Sequence, residues 1–341
     1  MLTRRKFLEK STLTLTGFAV GLPLAGRAGG LPLANGVPVT DRQSLSGNSA
    51  GIHIDGGTLS ESTPKPYRIS LNTSTIRTYQ LPVEKQIDVC GAAGFDGIEL
   101  WVSDIQTFLE KGGKLPDLTK RLKDNRLILE KIIGFAPWMT DDDQQRKAGQ
   151  QQMQQEMEMT AQLGGKYIAA PVMGIKRIDR EKLDDYALRY RKILETGRTA
   201  GVIPLLELWG SGALYNLADA VHIALGTNHP DANLLLDFYH LYRGGNSLEA
   251  LKMLNLNRLP LFHINDYPAS PPREQLNDSD RVYPGDGICP FQTFLPYLFK
   301  SGFNGGFSVE LFNEGYCKHH QPEQMLSITL EKTKHLITNS L

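Results

Sequence analysis

The sequence predicts a closed (β/α)8 barrel over residues 66–341. Three observations carry that expectation. Eight short apolar runs alternate with amphipathic stretches along this part of the chain. The runs are apolar on both sides, as strands are when helices cover both faces of a parallel sheet. Several amphipathic stretches end in Gly just before the next run, in "AAGFDGIEL", "QLGGKYIAA", "TAGVIPLLE" and "KSGFNGGFSVE". Glycine fits there because it accepts the left-handed conformation that closes a helix. A doubly wound open sheet is the alternative. It usually carries a glycine-rich phosphate turn, and neither a GxGxxG turn nor a P-loop occurs.

Taken in order, "YRISLNTS" is the first strand and "VEKQIDVCGAAG" its helix. "GIELWV" is the second strand, with a helix near 117–126. "LEKIIGFAPW" holds the third strand, followed by a long helix from Asp142 to Leu163. Met153, Met157 and Thr160 recur there at helical spacing, so the methionine run faces the core and is not a metal box. "YIAAPVMG" is the fourth strand, with a helix over 179–200. "VIPLLELWG" is the fifth, with a helix over 216–225. "NLLLDFYH" is the sixth, with a helix over 247–254. "LPLFHIND" is the seventh, with a helix over 291–301. "GFSVELFN" is the eighth, and 321–338 forms the closing helix. Eight such units make the TIM-barrel architecture.

Composition narrows the function classes. The 341 residues are 40% hydrophobic and 22% charged, enough apolar material for a large core. Net charge is zero, so no basic stripe points to nucleic acid. Cys90, Cys289 and Cys317 are widely spaced and odd in number, which argues against a disulfide framework. Nothing in the sequence excludes a homo-oligomer. The N-terminus reads as an address. Arg4 and Arg5 precede Phe7 and Leu8, and a weakly hydrophobic run from Ser11 to Ala25 ends near "AGRAGG". That run is too short for a membrane span. It resembles a twin-arginine signal peptide over 1–29, which implies the twin-arginine translocation machinery as a partner and a periplasmic location. Residues 30–65, rich in Gly, Ser, Thr and Pro, form a flexible linker.

In a barrel of this kind, function gathers at the C-terminal ends of the strands. Those ends carry Glu99, Glu207, Asp237, His263 and Glu310, each after apolar residues and before a loop. Carboxylates converging on one mouth repel each other, and burying one alone costs several kcal/mol or a large pKa shift. A divalent cation removes that cost. An oxygen-rich ligand set favours a hard or borderline ion, Mn2+ first, with Mg2+, Co2+ and Zn2+ also compatible. Trp101, Trp138 and Trp209 each follow a strand, which places all three tryptophans at the mouth as stacking surfaces for the apolar face of a ligand. The loop after the seventh strand, "NDSDRVYPGDGICPF", is polar and rich in Gly and Pro, and Asp266 lies beside a ligand or the substrate.

The DxxH of "DFYH" followed by the HxxD of "HIND", with "GFDGIEL", Glu207 and Glu310, resembles the xylose-isomerase-like superfamily of sugar isomerases and epimerases. The resemblance covers about residues 67–338. It implies that Glu207, Asp237, His263 and Glu310 hold the metal, that His240 contacts a substrate oxygen, that Arg281, in a "DR…PG.G" loop similar to the family's, reaches another, and that Glu207 and Glu310 form the acid–base pair. One departure matters. The ketose 3-epimerases carry an arginine six residues after the strand-seven histidine, where this chain has Ala269. The implied reaction is proton transfer on a sugar or keto-sugar through a metal-stabilised enediolate. Loss of a β-group from a keto-sugar or inosose uses the same site, and a non-catalytic sugar-binding barrel is the alternative of another class.

Overall fold

Eight parallel strands close on one another in sequence order. They are β1 (Arg68–Asn72), β2 (Gly97–Trp101), β3 (Ile128–Ile133), β4 (Tyr167–Pro171), β5 (Ile203–Glu207), β6 (Leu234–Asp237), β7 (Leu261–Ile264) and β8 (Gly306–Val309). β1 pairs with both β2 and β8, so no edge remains. The computed structural model describes residues 67–341. The expected signal peptide and linker lie outside the described residues.

The strands are buried along almost their whole length, as the apolar runs require. Helix ends follow the glycines. The helix Val83–Ala93 closes on Gly94 with φ 87°, and Leu183–Ala200 closes on Gly201 with φ 72°. The long helix Asp143–Gln162 starts where the Asp142 carboxylate accepts the Gln145 N–H, and it buries Met153, Met157 and Thr160. Between the barrel and its helices Phe238, Phe262, Phe294 and Phe303 pack edge-to-face and stacked. Cys90, Cys289 and Cys317 are free thiols.

The structure departs from the sequence expectation in several connections, among them a short helix after β8, Glu314–His319, that precedes the expected closing helix. β2 is followed by two helices, Val102–Glu110 and Leu115–Asp124, where one was expected. After β6 an α-helix begins at once, Phe238–Arg243, and the expected helix at 247–254 is a 3-10 helix over Leu248–Met253. The reason is local. The Asp237 carboxylate accepts the His240 N–H at 2.8 Å, so the last strand residue is also the helix cap.

One irregularity in β3 positions polar groups inside the barrel. Ile98 pairs with Leu129, but Glu99 pairs with Lys131, so Glu130 is passed over as a β-bulge. Both Glu130 and Lys131 therefore reach the interior. Glu130 accepts from Ser70 Oγ at 2.9 Å and from Arg68 Nε at 2.9 Å. Lys131 Nζ donates to Glu99 at 2.6 Å.

Candidate metal centre

Four side chains from consecutive strands meet inside the C-terminal end of the barrel. Glu207 ends β5, Asp237 ends β6, His263 lies in β7, and Glu310 follows β8. None is more than 2% exposed. His263 Nδ1 lies 3.1 Å from Glu310 Oε2, 3.6 Å from Asp237 Oδ2 and 3.8 Å from Glu207 Oε1. One ring nitrogen and three carboxylates aimed at a single point are what a divalent cation requires and what a dry interior otherwise penalises. Asp237, His240 and Glu310 also each offer a ligand atom within 4.8 Å of one another. The residues present therefore fit a metal ion.

Arg281 crosses this cluster. It is fully buried, although an arginine seldom is without partners. Its Nη1 donates to Asp237 Oδ2 at 3.1 Å and to Glu310 Oε2 at 2.8 Å, and its Nη2 donates to Asp278 at 2.6 Å. Nη2 also lies 3.2 Å from His240 Nε2. The guanidinium stacks on Tyr239 at 4.5 Å and Phe312 at 5.2 Å. Burial pushes the Asp237 carboxyl up, but Arg281 and His240 outweigh it and hold the group below its ordinary value. Burial also opposes charge on His263, yet Glu310 and Glu99 push its imidazole well above the ordinary range.

Several expected site residues lie elsewhere than the sequence placed them. Glu99 does not reach the mouth. It is held inside the barrel by Asn72 Nδ2 at 2.8 Å, Lys131 Nζ at 2.6 Å and His263 Nε2 at 3.2 Å. Trp138 is not a mouth residue either. It is fully buried, its Nε1 donates to the Pro171 carbonyl at 3.0 Å, and its ring packs on Tyr190. Asp266 touches neither a ligand nor the cluster. Its two oxygens accept the backbone N–H groups of Tyr267, Gly285, Gly287 and Cys289. Arg281, expected to reach for substrate, grips the carboxylates.

Trp101 and Trp209 do belong to one surface. Phe135 lies between them, with ring centroids 5.2 Å from Trp101 and 6.1 Å from Trp209, and Trp209 continues to His240 at 6.4 Å. Arg77 stacks on Trp101 at 4.0 Å. This aromatic row borders the carboxylate cluster through His240.

The sequence reading missed four polar or aromatic participants. Asn72 donates to both Glu99 and Glu310, and Asn265 donates to Asp237 Oδ2 at 2.9 Å. Lys131 and Phe135 were passed over as ordinary strand and loop residues. A lysine inside the apolar run "LEKIIG" was the available signal for the first. Asn265 lies two positions after His263, just past the end of β7, and so continues the same side of the strand.

Comparison with known proteins places these observations in a family. The model of the xylose isomerase-like TIM barrel matches residues 87–335. An inosose isomerase of Bacillus velezensis is 25% identical over 240 residues, 69% of this chain and 85% of that protein. An inosose isomerase of Bacillus subtilis is 30% identical over 166 residues, 48% of this chain and 59% of its own length. Among solved structures, IOLI protein with a binding zinc atom superimposes with TM-score 0.73 at 23% identity, covering 80% of this chain and 99% of that one. An L-ribulose 3-epimerase gives TM-score 0.63 at 18% identity, covering 80% of this chain and 95% of its own. The chain belongs to the xylose isomerase-like TIM barrel family.

Proposed function

We propose that the chain is a divalent-metal-dependent isomerase or epimerase acting on a sugar or a related polyol-ketone of the inosose kind. The observation that carries this reading is the convergence of Glu207, Asp237 and Glu310 on His263 Nδ1. The inosose isomerases among its relatives support the substrate class. A divalent ion held by Glu207, Asp237, His263 and Glu310, with Mn2+ favoured by the three carboxylates, would supply charge that acidifies a carbon beside a carbonyl.

The chain's own residues do the rest. Glu207 and Glu310 come from β5 and β8, three strands apart, and reach the site from different sides. One carboxylate removes the proton and the other returns one. Return to the opposite face of the same carbon inverts it, and return to the neighbouring carbon moves the carbonyl. His240 holds a substrate oxygen, and Arg281 keeps the Asp237 and Glu310 carboxylates in place. Trp101, Phe135 and Trp209 give the apolar face of the ring a surface to stack on and exclude water.

The leader carrying Arg4 and Arg5 supports export of the folded chain by the twin-arginine route to the periplasm. Changing both to Lys and fractionating cells tests it, and unchanged export would refute it. For the reaction, metal-loaded protein is incubated in D2O with inososes and keto-sugars and followed by NMR. Deuterium should enter at the carbon beside the carbonyl, and product structure separates isomerisation from loss of a β-group. Glu310→Gln should abolish exchange while sugar binding persists. Full exchange in that variant would refute the assignment.

A further inference from the structure

Lys131 is an unusual strand residue. Its side chain is fully buried, and its ammonium donates to Glu99 at 2.6 Å. Glu99 is equally buried, and the same oxygen, Oε2, faces His263 Nε2 at 3.2 Å. A buried ion pair of this kind is a weak source of stability, because well-packed apolar residues of similar size hold a fold as well or better. The β-bulge at Glu130 points the same way. It interrupts the regular β2–β3 pairing and brings Lys131 opposite Glu99. Bulges recur beside active sites, where they re-aim a side chain.

We propose that Lys131 and Glu99 are positioning residues that fix the His263 ring, so that Nε2–H is committed to Glu99 and Nδ1 faces Glu207, Asp237 and Glu310. The inference rests on the metal-centre reading above. A histidine ligand generally donates its second ring N–H to a carboxylate, which sets both ring orientation and tautomer. Glu99 does that here. A carboxylate so close to three others would add a fourth negative charge to the cluster. Lys131 neutralises it locally, so Glu99 stays an acceptor without weakening the preference of the other three for a dication. Asn72 ties the support to the cluster, because its Nδ2 donates to Glu99 Oε2 at 2.8 Å and to Glu310 Oε1 at 3.1 Å.

The test uses a readout that packing alone would not move. In metal-free protein, the His263 Nε2–H resonance in a 15N–1H spectrum should be observable and protected from exchange with water. In the double variant Glu99→Leu/Lys131→Met, which removes the acceptor, that protection should be lost. Zn2+ affinity, measured by competition with a chromophoric chelator, should fall about 10- to 100-fold, the usual range for such supporting carboxylates. If the double variant does not fold, Glu99→Gln alone serves, with a shifted Nε2–H signal and affinity weakened by about tenfold. An unchanged His263 signal with unchanged Zn2+ affinity in a folded variant overturns the inference. A wild-type protein that takes up no Zn2+ and no Mn2+ overturns the proposed metal centre instead, and the His263 resonance still decides the role of the pair.

Discussion

Arg281→Met isolates what the buried guanidinium does. Arg281 bridges Asp237 and Glu310 at 3.1 Å and 2.8 Å with no exposure to solvent. Removing one partner of a buried ion pair costs about 3–5 kcal/mol, because the other charge is left without compensation. Here one arginine serves two buried carboxylates and the partly exposed Asp278, so metal-free Arg281→Met should lose stability at the upper end of that range. Methionine keeps much of the packing against Tyr239 and Phe312. A bound dication supplies the missing charge, so the loss should shrink when metal is present. By the thermodynamic cycle, whatever the loss shrinks by appears as tighter metal binding, tenfold for each ~1.4 kcal/mol. The assay is urea unfolding of wild type and variant, once in EDTA and once with Zn2+ at about 100 times its Kd, where binding adds ~2.7 kcal/mol to wild type. A loss below ~1 kcal/mol in EDTA, in place of that cost, would refute the reasoning. So would an equal loss under both conditions.

Four further perturbations separate structural from functional roles. Burial pushes the Glu156 carboxyl from 4.5 to about 7 despite the hydrogen bond from Gln152. Its folded pKa is raised, so its contribution to stability is fully present below pH 4.5 and lost as pH rises through about 7. Glu156→Gln should therefore match wild type near pH 4.5 and be more stable by roughly 3 kcal/mol at pH 8, read by denaturant midpoints across pH. Trp138→Phe should lower stability by about 1–3 kcal/mol through the lost bond to Pro171 and leave KM unchanged, whereas Trp209→Ala should raise KM several-fold. Asp266→Asn should release the loop after β7, seen as faster amide exchange at Gly285, Gly287 and Cys289.

The barrel was legible because its signals repeat. Eight apolar runs and the glycines before them state the period, and Gly94 and Gly201 adopt the left-handed conformation the reading required. The four residues meeting at His263 were legible for a related reason: each ends an apolar run, where a charge is conspicuous. Glu99 shared that signature and was assigned to the mouth, because a one-residue bulge in the neighbouring strand leaves no mark in composition. Trp138 failed differently. A tryptophan after a strand can turn either way, and only the carbonyl of Pro171, 33 residues on, decides that it turns inward. Asp266 was read as chemistry because loop backbone N–H groups have no sequence signature.

Asp266 also has a kinetic meaning. The strand-seven exit and the segment beyond Arg281 are laced together twice, by the Asp266 carboxylate and by main-chain bonds from Asp266 to Val282 and from Ile288 to Tyr267. Gly287 leaves no room for slack, since an added Cβ would sit 2.3 Å from the Tyr267 carbonyl. A stretch that reads as pliant is thus a rigid strap, and Arg281 is presented from it already aimed. The guanidinium is therefore set against Asp237 and Glu310 from the start, with no loop rearrangement needed to bring it there.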